Sequence, residues 1–154
     1  MNMREATDAD VASVTALINA AFQVEKFFTI GDRSTTGETR ARLRQGAFLI
    51  LEHDGRILAA VFVSASEGLG YFGTLSVDPA QQGRGIGRRM VAAAEDWCRA
   101  RGCREMEIEV VNLRTELPPL YRRLGYIEAG TRPFTNTARS TRPCHFILMR
   151  KPLD

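Results

Sequence analysis

The segment Gln82-Gly83-Arg84-Gly85-Ile86-Gly87-Arg88 does more than any other to limit what this chain can fold into. Glycines at three alternating positions open backbone conformations closed to other residues, and they let the main chain approach a ligand closely. Before the segment, Tyr71 to Val77 is an apolar, β-prone run that stops at Asp78-Pro79, where proline removes a ladder donor. After it, Ile86, Met90, Ala93, Trp97 and Ala100 recur at helical spacing, and Gly102 supplies a stop. A strand, a loop and a helix thus meet at one junction. The first helix amides and the positive end of the helix dipole face outward there, a setting suited to phosphate oxygens.

The flanking sequence supports an α/β arrangement. Thr7 or Asp8 can cap a helix carrying Val11, Val14, Leu17, Ile18 and Ala21 on one face, with Asp10 in its first turn and a short strand from Met3 to Ala6 before it. Gln23 to Gly37 lacks a clean period and reads as a loop with short helical pieces, followed by a short helix from Glu38 to Gln45. Ala47 to Leu51 and Ile57 to Val63 flank Asp54-Gly55, a pair suited to a type I′ hairpin turn. Glu105 to Val111 alternates Glu105, Glu107 and Glu109 with Met106, Ile108 and Val110, the period of a strand. Glu116 to Leu124 predicts a short helix that tolerates Pro118 and Pro119 in its first turn. Tyr126 to Gly130 and Cys144 to Arg150 complete a mixed sheet. No repeat or linker divides the 154 residues, so one domain over 1–154 is expected.

Composition excludes several classes. With 44% hydrophobic and 25% charged residues, the chain can build its own core without a staple. Its longest apolar run, Ile57 to Val63, is far short of the ~20 residues that span a bilayer, and acids at the N-terminus replace the apolar stretch of a signal peptide. No membrane partner is expected, and the cytoplasm is the expected location. Three cysteines without C-x-x-C spacing and two histidines do not predict a metal site, and the thiols read as reduced core residues. Net charge is +3, but residues 1 to 80 carry 7 basic and 10 acidic groups against 14 and 8 in residues 81 to 154. The second half is therefore the anion-facing one. It lacks the interleaved aromatics of a nucleic-acid binder, and no nucleic-acid partner is expected.

Spacing decides between phosphate-loop types. The Walker pattern is absent, and the dinucleotide fingerprint fails because Arg88 or Met90 stands where its last glycine belongs. The pattern Leu-x-Val-x-Pro-x-x-Gln-x-x-Gly-x-Gly does run through Leu75, Val77, Pro79, Gln82, Gly85 and Gly87, and a second motif reads Leu120-Tyr121-Arg122-Arg123-Leu124-Gly125-Tyr126. On these two ordered motifs the chain resembles the GNAT superfamily of acetyl-CoA-dependent N-acetyltransferases, with family elements in order from Arg4 to Leu153. The resemblance implies an α/β fold with a mixed, mostly antiparallel sheet of about seven strands and about four helices.

It also implies roles for named residues. The backbone of Leu75, Ser76 and Val77 would bond the pantetheine arm of acetyl-CoA like an added strand, and Gln82, Gly83, Arg84, Gly85, Ile86, Gly87 and Arg88 would hold the pyrophosphate. Where many members have Asn, seven residues before Tyr121, this chain has Arg114, which would supply charge near the same arm. Tyr121 matches the tyrosine that protonates the departing thiolate; its alternative is a packed aromatic. A backbone amide near Leu75 would steady the oxyanion.

No carboxylate lies in Tyr71 to Val77, so the base has two candidates. Glu109 belongs to a face of three acids that is otherwise solvated, and lies nearest the strand end facing the cleft. His145 opens the last strand beside that end and is placed to act through water. His53, next to the hairpin turn, reads as inert. For the acceptor, Phe27, Phe28 and Phe134 are candidate apolar walls, and Glu25 a candidate for attracting an ammonium. The expected reaction is acetyl transfer to a primary amine of a small molecule. The alternatives are a peptide or protein N-terminal or lysine acetyltransferase and a non-catalytic acyl-CoA-binding regulator, with a homodimer left open.

Overall fold

The computed structural model describes residues 1–154. In chain order the elements are β1 (Asn2–Glu5), α1 (Val11–Ala21), α2 (Thr36–Gln45), β2 (Ala47–His53), β3 (Arg56–Ser66), β4 (Leu69–Val77), α3 (Ile86–Arg99), β5 (Glu105–Val111), α4 (Leu117–Arg123), β6 (Ile127–Pro133) and β7 (His145–Pro152). Short 3-10 turns stand at Asp8–Asp10, Phe22–Phe27 and Pro79–Gln81.

The hairpin of β2 and β3 seeds the sheet. Asp54 and Gly55 have φ of 50° and 74°, the paired positive values of a type I′ turn. A second tight turn follows at Glu67 (φ 51°) and Gly68 (φ 81°), where Glu in place of Asn or Asp hides the signal from the sequence. The seven strands lie in the order β1-β2-β3-β4-β5-β7-β6. All neighbours are antiparallel except β4 and β5. With four α-helices this is the expected fold class.

Alternation along β2 and β3 makes two cores, one on each face. On one, Val14, Leu17 and Ile18 of α1 pack on Phe48, Ile50, Ala60 and Phe62, with Leu43 of α2 and Tyr71 at the margin. On the other, Ile86, Met90, Val91, Ala94 and Cys98 of α3 cover Leu49, Leu51, Val61, Phe72, Met106 and Ile108. The inward stripe of α3 therefore differs from the expected one: Ala93 and Trp97 are only half-buried, and Ala100 is exposed. Buried Glu95 belongs to the true stripe because its carboxylate accepts from the Tyr126 hydroxyl at 2.7 Å and from Lys151 Nζ at 3.1 Å. No α-helix is long and apolar enough to cross a membrane. The cysteines are free; Cys98 and Cys103 are buried, and burial pushes the Cys98 thiol up to about 12, which leaves no thiolate at neutral pH.

Asp10 ties β1 to the start of α1. It accepts two bonds from the Arg4 guanidinium, at 2.8 and 3.0 Å, and one from the Thr7 amide at 2.7 Å. The Arg4 bonds hold its carboxyl down at about 2, from an ordinary 3.8. A lowered carboxylate pKa contributes stability above the unfolded value and loses it as pH falls through the folded value. The Asp10→Asn variant is expected to unfold about 1 kcal/mol more easily at pH 7, a figure reduced for solvent screening, with the difference from wild type vanishing as pH falls from about 4 to about 2. Urea melts across that range measure it.

Candidate active site

β4 and β5 pair only where Leu69, Gly70 and Tyr71 meet Glu105, Met106 and Glu107, and then part. A bulge in β4 explains the parting. Ala60 faces Ser76 while Phe62 faces Gly73, so Thr74 and Leu75 share one position opposite Val61. Thr74 has a φ of 51°, a strained value for a β-branched residue, and its carbonyl accepts from Ser76 Oγ at 3.1 Å. A bulge bends and twists its strand, here away from β5, and the unpaired edge beyond Tyr71 faces the gap.

The gap is a cleft of about 920 Å³ running from the glycine loop to the layer of α1 and α2. At the loop end Gly83 and Gly85 have φ of 83° and 75°, and Gly85 caps α3. Between Gly83 and Arg88 no backbone amide finds a carbonyl acceptor in the chain. These free amides, the dipole of α3 and the open edge of β4 fit the diphosphate and amide-bearing arm of an acyl-CoA.

Leu75, Val77, Gln82, Gly83, Gly85, Ile86 and Gly87 all line the cleft. Ser76 is wholly buried with its side chain turned back to Thr74, so only its backbone is available. Arg84 and Arg88 are exposed and outside the lining.

Tyr121 projects from α4 with its ring 5.9 Å from Phe72 and 6.1 Å from Tyr126. It is 7% exposed, and its hydroxyl makes no hydrogen bond within the chain. Burial pushes this phenol up to about 12, with Arg114 pulling weakly the other way.

Glu109 also lines the cleft, from the opposite face of β5. Its row of acids is not simply solvated. Arg150 bonds Glu105 at 2.8 Å and Glu107 at 2.7 Å, while Arg132 reaches Glu107 at 3.3 Å and Glu109 at 3.7 Å. The cations lie on β6 and β7, brought alongside by antiparallel pairing that local periodicity does not reveal. His145 stands beside the end of β5 as expected: its amide donates to Asn112 Oδ1 at 2.8 Å. Its side chain is exposed and outside the cleft lining.

The expected acceptor residues divide. Phe134 lines the cleft and packs on Phe146 at 5.1 Å. Phe28 is a core residue with no exposure, and Phe27, stacked edge-on against it, turns outward under Arg142. Both lie outside the cleft lining: at the end of the 3-10 turn Phe22–Phe27 one ring turns inward and the other to solvent. Glu25 is in the cleft but already paired, at 2.9 Å from Arg114, which also holds Glu116 at 3.0 Å. Sequence reasoning missed Arg33, Arg42, Tyr71, Arg132 and Arg139, all in the lining. Nothing local marks them; distant segments bring them together.

A splayed β4–β5 pair with free loop amides at one end and an unbonded phenol on its wall defines an acyl-CoA-dependent transferase site. The model of the acetyltransferase (GNAT) family matches residues 13–126, and the chain belongs to this family of acetyl-CoA-dependent N-acetyltransferases. Among solved structures, it is similar to the ribosomal-protein-S18-alanine N-acetyltransferase of Escherichia coli, with a TM-score of 0.80 and 17% identity over 99% of this chain and 94% of that one. A phosphinothricin acetyltransferase from Sinorhizobium meliloti in complex with AcCoA gives 0.77 and 20% over 99% and 88%. yncA from Salmonella typhimurium with its cofactor acetyl-CoA gives 0.76 and 21% over 100% and 94%. No curated protein sequence matches significantly.

Proposed function

We propose that this protein, as one domain over 1–154, transfers acetyl from acetyl-CoA to the primary amine of a small molecule in the cytoplasm. Proteins of similar fold are, by name, acetyltransferases of a ribosomal-protein alanine and of phosphinothricin, so the fold alone does not choose the acceptor. The observation that carries the small-molecule reading is a clasp over the acceptor end. Thr29 bridges to Ser140, the Ile30 amide donates to the Arg139 carbonyl at 2.8 Å, and the Thr141 amide donates to the Phe28 carbonyl at 2.8 Å. Arg139 adds Nε to the Ile30 carbonyl at 3.1 Å. A peptide needs an open groove through which its chain continues, and the clasp joins the two loops that would form its walls.

When bound, acetyl-CoA supplies the acetyl group as a thioester. The residues that would hold it are Gln82, Gly83, Gly85, Ile86 and Gly87 at its diphosphate and Leu75, Ser76 and Val77 along its arm, through their backbone. Tyr121 keeps a proton at Oη across the neutral and alkaline range and is the donor for the leaving sulfur. Glu109, a carboxylate of the cleft wall with Arg132 3.7 Å away, receives the amine proton. Arg114, locked between Glu25 and Glu116, shapes the wall.

Titration calorimetry with acetyl-CoA and a thiol-release screen over small amines, peptides and acetyl-CoA alone test this. Binding with CoA release driven by small amines is expected. Release driven only by peptides, or no heat up to about 1 mM cofactor with folded protein, defeats it.

A further inference from the structure

Five arginines line the cleft, and they fall into two groups. Arg114 and Arg132 are neutralised by carboxylates, as described above. Arg139 spends its donors on the carbonyls of Ile30 and Gly31, at 3.1 and 3.4 Å. That leaves Arg33 and Arg42, neither of which forms an ion pair with any carboxylate. Each guanidinium instead lies over an aromatic ring, Arg33 5.0 Å from Phe22 and Arg42 5.0 Å from Phe62. Stacking fixes the plane of a guanidinium and leaves its forked N–H edge free, the geometry that receives a carboxylate in two parallel bonds.

The surroundings make these free cations costly without an anion. Arg33 is half-buried, and burial lowers its pKa from the ordinary arginine value; the Glu25 carboxylate opposes that shift and the charges of Arg42 and Arg139 add to it. The other groups that face the pair are Glu25, Glu38, Glu109 and Tyr71. Glu25 is held by Arg114 and Glu109 by Arg132, Tyr71 is a neutral phenol raised by burial and by Glu109 with the side chain of Arg42 beside it pulling the other way, and Glu38 is exposed and bonded to the cap of its own helix, accepting from Thr35 Oγ1 at 3.4 Å. Two adjacent arginines in a part-buried cleft, neither in an ion pair with a carboxylate, make a setting suited to an anion. Both stand on the α1–α2 side of the sheet, away from the glycine loop, so they serve the acceptor rather than the cofactor phosphates.

We propose that the acceptor bears a carboxylate next to the amine it presents, and that Arg33 and Arg42 read that carboxylate; this rests on the acetyltransferase reading of the same cleft. The substrate class is then the amino acids and close relatives, with the two arginines as specificity-determining residues.

The test uses the intact protein saturated with CoA and titrated calorimetrically with a panel of N-acetyl-L-amino acids and their matching primary carboxamides. At least one carboxylate should bind roughly 10-fold or more tightly than its carboxamide, and the preference should disappear in the Arg33→Met/Arg42→Met protein while acetyl-CoA affinity stays unchanged. Equal binding of carboxylate and carboxamide by the wild type overturns the proposal even if the double variant fails to fold. So does absence of binding by every carboxylate, or a preference that survives in the folded double variant. Thiol release with free amino acids and the corresponding decarboxylated amines, run in parallel, separates the two readings. Turnover of neutral amines without carboxylate preference removes the anion site and keeps the enzyme. Carboxylate-selective binding with no turnover of any amine keeps the anion site and removes the enzyme.

Discussion

The Tyr121→Phe protein is expected to bind acetyl-CoA about as tightly as wild type and to turn over roughly 100-fold or more slowly. The chain has three tyrosines, and their environments differ in the one respect that matters. Tyr126 donates its hydroxyl to Glu95 at 2.7 Å and belongs to a buried ion cluster, so its proton is committed. Tyr71 lies on the α1–α2 side of the sheet with Phe62. Only Tyr121 combines a ring fixed against Phe72 with a hydroxyl free of partners in the cleft wall shared with the glycine loop. Removing that oxygen leaves the packing intact and deletes the donor. Steady-state thiol release and calorimetry separate the two effects, and Tyr126→Phe is the control: it should lose stability, not turnover, because buried Glu95 loses a hydrogen-bond donor. A raised phenol pKa carries a sign. Stability from the neutral buried form is complete below the unfolded value near 10 and is lost as pH rises through about 12, so wild type should be destabilised in that window more than Tyr121→Phe. Undiminished turnover in a folded Tyr121→Phe protein makes the residue a packing group only.

Much of this cleft is legible in the sequence because its glycine-loop end is local. The glycine segment, the strand stopped by Asp78-Pro79 and the helix opened at Gly85 are consecutive, and Asp54-Gly55 announces the hairpin beside them. The opposite end is not local. Arg33 comes from a loop, Arg42 from α2, Glu109 from β5 and Arg132 from β6, and no period in any one segment says that they meet. Phe27 and Phe28 show the same limit at shorter range: two adjacent rings in an irregular stretch give no means of telling which faces the core. The stripe of α3 departs from expectation for a different reason. Apolar counting passes over a buried acid, and Glu95 is inside only because Tyr126 and Lys151, 31 and 56 residues away, neutralise and bond it. The strained Thr74 is hidden as well, since a β-branched residue in an apolar run argues for regular strand.

Replacing Gly85 with Val is expected to weaken acetyl-CoA binding roughly 100-fold, about what one or two lost charge-assisted hydrogen bonds contribute. Gly85 has a φ of 75°, where an L-residue with a Cβ is strained by about 1–2 kcal/mol and a β-branched one more. A Cβ at this position meets no atom within 4 Å. The side chain is therefore not excluded by protein; it enters the open space over the unbonded amides between Gly83 and Arg88. Strain and obstruction have to be separated, and the chain offers a matched position for doing so. Gly102, beyond the far end of α3, has a φ of 81°, and a Cβ there also meets nothing within 4 Å, but it lies outside the cleft lining. Gly102→Val should lower the melting temperature as much as Gly85→Val and leave the cofactor titration unchanged. Equal loss of affinity in both variants assigns the effect to strain transmitted along α3. Unchanged affinity in a folded Gly85→Val protein shows that the diphosphate is held elsewhere.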